Sequence, residues 1–96
     1  MADDRNWAFL SSHGVVLIEV ARDPQATVRL IAERAGVTER QAHRVLNDLC
    51  AEGYITRRRV GRRNEYRVNE EQPMRRASFA AHNVGELLDV LARPHV

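Results

Sequence analysis

The segment Thr38–Val68, TERQAHRVLNDLCAEGYITRRRVGRRNEYRV, changes its pattern halfway along. Its first part repeats apolar residues at helical spacing, and its second part is an arginine-rich run around Gly61 that is typical of a β-hairpin. At about 100° per residue, the helical part has a polar stripe centred nearly opposite the apolar one. The sequence therefore predicts a helix that buries one side and exposes the other. The apolar stripe consists of Ala42, Val45, Leu46 and Leu49, and the polar stripe consists of Arg40, His43, Arg44 and Asn47.

This helix is predicted to run from about Glu39 to Glu52. Thr38 and Gln41 have the residue types and spacing of a capping box, which starts a helix. Just upstream, Thr27 is typical of the N-cap of a short helix that Gly36 ends. Two helices joined by a turn of about three residues that contains a glycine form a helix-turn-helix.

The hairpin is predicted as strands at 54–60 and 65–69, joined by a turn at 61–64. Glycine and asparagine tolerate the backbone angles of such turns, so Gly61 and Asn64 are expected to carry them. The hairpin would project from the helices as a wing.

Two further helices are predicted outside this region. One runs from about Ser12 to Arg22 before Asp23–Pro24. The other follows Pro73, where Asn83 and Glu86 can cap a helix whose apolar stripe is Val84, Leu87, Leu88 and Leu91. The predicted fold is mostly helical α+β: a winged helix-turn-helix with a three-helix core, a two-stranded β-hairpin wing and an extra C-terminal helix. We expect the winged helix-turn-helix domain at 1–72 and the helical extension at 73–96.

Charge is segregated along the chain, although the net charge is only +2. Residues 55–69 hold six arginines against Glu65 alone, while 1–54 and 70–96 each carry more acids than bases. Consecutive residues of a strand point to opposite sides, so the run Arg57–Arg59 cannot all face one way. One or two of these arginines are expected to pair with acids of the protein.

Composition excludes several classes of protein. No run approaches the ~18 apolar residues of a membrane helix, and the acidic start MADDRNWAFL is not typical of a secretory signal, so a cytoplasmic protein is expected. Cys50 is the single cysteine, which excludes an internal disulfide and a cysteine-cluster metal site. No Gly-rich phosphate loop, H-E-x-x-H or G-x-S-x-G motif occurs. We predict a protein that is not an enzyme and binds no metal or cofactor.

The stretch TVRLIAERAGVTERQAHRVLNDLCAEGYITRRRVGRRNEYRV resembles the DNA-binding half of winged-helix bacterial transcriptional regulators. It is similar to the MarR and ArsR families, and the resemblance covers roughly residues 15–69. It implies a regulator that binds double-stranded DNA. The chain lacks the paired thiolates of ArsR-type metal sensors and the long dimerisation helices of MarR-type proteins, so the resemblance assigns it no small-molecule effector.

The residue types also suit DNA. Arginine can bond guanine through O6 and N7, asparagine can bond adenine through N6 and N7, and arginines neutralise phosphates. Glu39 has two interpretations, acceptance from cytosine N4 or complementation of the helix dipole. The expected DNA contacts of the recognition helix are Thr38, Glu39, Arg40, Gln41, His43, Arg44 and Asn47. Those of the wing, on the backbone or in a minor groove, are Arg57, Arg58, Arg59, Arg62, Arg63 and Asn64.

Apolar residues outside the expected core predict a homodimer, because one small domain cannot easily cover them. The rival interpretation is a winged helix that acts as a protein-interaction or assembly module and binds an acidic partner. The polar stripe contains no apolar residue, which argues against this rival. RNA binding is disfavoured because the wing tip has no aromatic stacking residues. The expected dimerisation residues are Trp7, Phe9, Val84, Leu87, Leu88 and Leu91.

Overall fold

The structure, a computed structural model, describes residues 7–93 of the chain. Its elements are α1 (Ser12–Arg22), α2 (Val28–Ala35), α3 (Glu39–Ala51), β1 (Ile55–Val60), β2 (Arg63–Val68), a 3₁₀ turn (Ala77–Phe79) and α4 (Val84–Leu91). This confirms the predicted winged helix-turn-helix with an extra C-terminal helix. The 3₁₀ turn was not predicted, and most of the acidic N-terminal segment lies outside the described residues.

The helix-turn-helix is fixed by the residues that end α2 and begin α3. Gly36 takes a left-handed conformation, with φ of 73°, and reverses the chain after α2. The Thr38 hydroxyl accepts from the backbone N–H of Gln41 at 3.0 Å, and the Gln41 side chain accepts from the N–H of Thr38 at 2.9 Å. The predicted capping box is confirmed, and α3 ends at Ala51, one residue before the expected end.

The turn of the wing is shorter than predicted. Strands β1 and β2 pair antiparallel from Ile55 opposite Val68 to Val60 opposite Arg63, which leaves a two-residue turn. Gly61, with φ of 63°, supplies the positive angle that a type II′ turn needs at its first central residue. The predicted turn at 61–64 is therefore wrong. Asn64 lies in β2 opposite Arg59, and no described residue other than glycine has a positive φ.

One hydrophobic core lies beneath α3 and the wing, and α4 contributes to it. The apolar stripe of α3 is buried as predicted, and it packs with side chains of α1, α2 and β2. The stripe of α4 divides between core and surface. Val84 and Leu88 are buried in this same core, Leu87 is half-buried and Leu91 is exposed. The expectation that Val84 and Leu88 contact a partner chain is therefore wrong, because both fill the core of their own chain.

Candidate nucleic-acid interface

The exposed side of α3 carries the polar stripe that the sequence predicted. Arg40, His43, Arg44 and Asn47 are all exposed, on the side of the helix away from the buried stripe. Within residues 7–93, the side chains of Arg40, His43 and Arg44 have no hydrogen-bond or ion-pair partner. The donors of these side chains and the charges of the two arginines are therefore free for a ligand.

The first turn of α3 is arranged differently. Thr38 and Gln41 are exposed, but their side chains are bonded to each other's backbone N–H in the capping box and so hold the helix start in place. Glu39 is exposed in the same turn, where its charge complements the helix dipole. A ligand would have to share the Thr38 hydroxyl and Gln41 Oε1 with the cap, whereas the Nε2 donors of Gln41 take no part in it.

Within the part of the chain that the structure describes, two side-chain hydrogen bonds join α3 to neighbouring elements. His13 Nε2 of α1 lies 2.8 Å from Asp48 Oδ2 on the flank of α3. Arg57 Nη1 of β1 donates to Asn47 Oδ1 at 3.2 Å. The second bond joins a residue of the predicted recognition helix to one of the predicted wing.

The register of the hairpin divides its arginines between two sides. Residues directly opposite each other point to the same side, so Arg57 shares the side of the buried Tyr66, and Arg59 shares the side of Asn64. On the other side, Arg58 Nη2 donates to Glu65 Oε1 at 3.2 Å. The prediction that the consecutive arginines divide, with one of them paired to an acid, is confirmed.

The remaining wing arginines differ in how firmly they are held. Arg59 Nε donates to the carbonyl of Gly61 at 3.1 Å, and Arg63 Nη2 donates to the carbonyl of Gln25 at 2.6 Å, so Arg63 ties the wing to the loop before α2. Arg62 lies in the turn itself, exposed, and its side chain has no partner within the described range. We call the exposed side of α3 together with the β1–β2 hairpin the α3–wing surface.

Ion pairing separates the arginines of the chain into two groups. Among residues 7–93, five arginines have a carboxylate partner: Arg22 with Glu19, Arg34 with Asp23, Arg58 with Glu65, Arg75 with Glu52, and Arg93 with Asp89 and Glu70. In the described part of the chain the others have none, and most of these lie on the α3–wing surface. They are Arg40, Arg44, Arg57, Arg59, Arg62, Arg63 and Arg67, with Arg29 of α2 and Arg76 elsewhere.

Arg29 and Arg67 were not among the predicted contacts. Arg29 is exposed in the first turn of α2, and Arg67 is exposed in β2 opposite Thr56. The excess positive charge of residues 55–69 already included Arg67, whereas no sequence pattern distinguished Arg29 from Arg34, which is ion-paired.

In the sequence, the residues expected at a dimer contact lie outside α3 and the β1–β2 hairpin. Trp7 is 65% exposed and Phe9 is 93% exposed, and their ring centroids are 6.4 Å apart. In α4, Leu91 is 41% exposed. Such large exposed apolar side chains are typical of a surface that a partner covers.

Residues 7–93 provide neither a metal cluster nor a membrane-spanning helix. No group of three or more His, Cys, Asp or Glu side chains is placed to hold a metal ion. None of the helices described is long and apolar enough to cross a membrane. Cys50 is half-buried and packs against the core.

A comparison with known protein families finds a match to this chain. The model described as MarR family matches residues 11–63, which is more than half of the chain. The matched region runs from the N-cap of α1 to the first residue of β2, so it contains α3 and the whole turn of the wing. No curated protein matches the chain.

Proposed function

The chain belongs to the MarR family of DNA-binding transcription regulators, and we propose that it recognises specific sequences of double-stranded DNA as a homodimer. Helix α3 enters the major groove, and the wing lies on the phosphate backbone or in the minor groove. An α-helix fits the major groove, where each base pair presents its own pattern of donors and acceptors.

The observation that carries this proposal is the exposed polar stripe of α3. Arg40, His43 and Arg44 project from the helix without a partner in the described residues, while the opposite side is anchored in the core. A helix anchored in the core fixes the backbone of these residues, so only their side chains have to be ordered when their donors meet base edges. Each arginine that bonds a guanine through two hydrogen bonds would contribute about 1–3 kcal/mol of discrimination.

The wing supplies the part of the affinity that does not depend on sequence. Arg62 stands in the turn with its charge unpaired, so we assign it to a phosphate or to a narrow minor groove. Arg58 is less suited to DNA because Glu65 already compensates its charge. Arg63 donates through Nη2 to the carbonyl of Gln25, so it would reach DNA with its other N–H groups or by breaking that bond.

The homodimer is proposed from the exposed apolar residues outside the core. Trp7, Phe9, Leu87 and Leu91 remain as candidates after Val84 and Leu88 are assigned to the core. A two-fold dimer would place two copies of α3 about 34–36 Å apart, one turn of DNA, and would favour a palindromic site.

Selection from random-sequence duplex DNA at two salt concentrations, read by sequencing, tests the proposal. The expected result is an enriched palindrome with half-sites one helical turn apart. His43→Ala should relax the preference for the selected sequence. Arg62→Ala should weaken binding to all sequences alike and lower the salt slope, the dependence of log affinity on log salt concentration, by about 1.

Weak binding that is blind to sequence and vanishes at the higher salt would contradict the proposal. That outcome would favour the rival function, a winged helix that binds an acidic protein partner through the same arginines. Equal losses on selected and random DNA for His43→Ala and Arg62→Ala would contradict the assigned division between helix and wing.

A further inference from the structure

The hydrogen bond between Arg57 and Asn47 determines what Asn47 can offer to a base. Arg57 Nη1 lies 3.2 Å from the amide oxygen Oδ1 of Asn47. A guanidinium has only donors, so the atom facing it must be the oxygen and not the amide nitrogen. The orientation of the amide is therefore settled by chemistry: Oδ1 points to Arg57, and Nδ2 points away from it.

Both side chains of this pair are accessible to a ligand. Asn47 lies in the exposed polar stripe of α3, and Arg57 is exposed on β1. Arg57 has no carboxylate partner in residues 7–93, so its charge is not compensated. The pair stands where α3 meets the wing, with the amide N–H groups and the other guanidinium N–H groups available.

This arrangement changes the base that Asn47 is expected to read. A free asparagine recognises adenine by accepting from N6 and donating to N7. In the pair, Oδ1 already accepts from Arg57, and the adjacent guanidinium would place its own donors against the N6 amino group. Guanine instead presents two acceptors, O6 and N7, on the same edge.

We propose that Arg57 and Asn47 act together as a donor-only reader that selects guanine over adenine at the base pair next to the wing. The inference rests on the proposed function, because it requires α3 to lie in the major groove. It also makes Arg57, a residue of the wing, a determinant of sequence specificity, whereas Arg62 in the turn is assigned to a phosphate or to a narrow minor groove. The existing hydrogen bond holds both flexible side chains in place before DNA binds, which lowers the entropic cost of the contact.

The test compares the sites that four proteins select from random duplex DNA: the wild type, Asn47→Ala, Arg57→Met and Arg59→Met. Asn47→Ala identifies the base position that the pair reads, because the preference there should weaken. Arg59→Met is the matched control, since it removes the same charge from the same strand but its side chain bonds Gly61 and not Asn47. Each variant is changed at an exposed residue and should remain folded, which thermal unfolding checks.

At the position identified by Asn47→Ala, the wild type should prefer guanine over adenine by about tenfold. Arg57→Met should remove that preference and shift it towards adenine, because the guanidinium donors no longer face the N6 amino group and both lone pairs of Oδ1 are open to it. Arg59→Met should weaken binding overall and keep the guanine preference. If Arg57→Met and Arg59→Met select the same bases as the wild type, the paired reader is wrong while sequence-specific binding stands. If the wild type selects no sequence, the proposed function fails and the paired reader fails with it.

Discussion

The α3–wing surface and the surface around α4 differ in how far their arginines are paired with carboxylates. On the first, Arg40, Arg44 and Arg62 have no carboxylate partner among the described residues. Around α4, by contrast, Arg93 is bonded by both Asp89 and Glu70. Charges that are compensated within the chain attract a polyanion weakly, whereas uncompensated ones release the counterions of DNA when they bind. This difference supports the proposals that the α3–wing surface binds DNA and that the surface of α4, where Leu91 is exposed, contacts a second chain.

The largest effect is expected within α4, where neighbouring leucines have different environments. Leu88→Ala should lower the free energy of unfolding by about 2–5 kcal/mol, because it opens a cavity in the core. Leu91→Ala should change it little, since Leu91 is 41% exposed, but should weaken the dimer. Urea unfolding and sedimentation measure the two quantities. Equal destabilisation by both variants would contradict the division of α4 into a core side and a partner side.

The next effect concerns two arginines that differ in pairing. Arg44→Ala should lower the affinity for the selected DNA site by about 1–3 kcal/mol, because it removes the proposed contact of the guanidinium with a base. Arg34→Ala removes the same charge from a residue paired with Asp23 at 3.2 Å and should leave the affinity nearly unchanged. Fluorescence anisotropy with labelled duplex measures both. A similar loss for both variants would mean that ion pairing does not separate the DNA-binding arginines from the others.

Helices α3 and α4 both begin with a capping box, so two variants with the same expected loss of stability can be compared for their DNA binding. Thr38→Ala and Asn83→Ala should each lower the free energy of unfolding by about 1 kcal/mol. Thr38→Ala should also weaken specific binding, because the start of α3 frays, whereas Asn83→Ala should not. Thermal unfolding and anisotropy check the two expectations. A loss of DNA affinity with Asn83→Ala as large as with Thr38→Ala would show that general destabilisation, and not the position of α3, is responsible.

The smallest effect is the pH dependence at the start of α4. The side-chain hydrogen bond from His82, and then the bond from the backbone N–H of Asn83, lower the pKa of Glu86 below its usual 4.5. A lowered pKa of a carboxyl stabilises the fold fully above 4.5, and this contribution is lost as the pH falls through the lowered value. Glu86→Gln should therefore flatten the pH dependence of unfolding below 4.5. An unchanged pH profile would mean that this pair contributes nothing, as exposed pairs often do.

Local patterns in the sequence predicted most of the fold. The apolar stripes and cap residues predicted all four helices, because both features act within a few residues of the chain. The wing turn was predicted too long, because Asn64 tolerates turn angles but Gly61 alone supplies the one positive φ that the turn needs. A pattern also cannot show that Val84 and Leu88 fill the core and not a dimer contact, because both outcomes require the same apolar stripe.

The sequence predicted which residues the candidate site contains, but not which of its arginines form ion pairs. The exposed stripe of α3 followed from helical spacing alone. By contrast, Arg34 is paired with Asp23 across 11 positions, and Arg75 with Glu52 across 23 positions. Such partners are set by the tertiary fold, so the sequence could not show which arginines keep their charge free for DNA.

Two triple variants with the same change of charge test the central claim most directly. One replaces Arg40, Arg44 and Arg62 with glutamine on the α3–wing surface, and the other replaces the ion-paired Arg22, Arg34 and Arg75. Binding to random duplex DNA is measured over a range of salt concentrations. The first variant should bind much more weakly, with a salt slope lower by about 3, and the second should retain nearly the wild-type slope. Equal slopes for the two variants would contradict the claim that the α3–wing surface binds DNA.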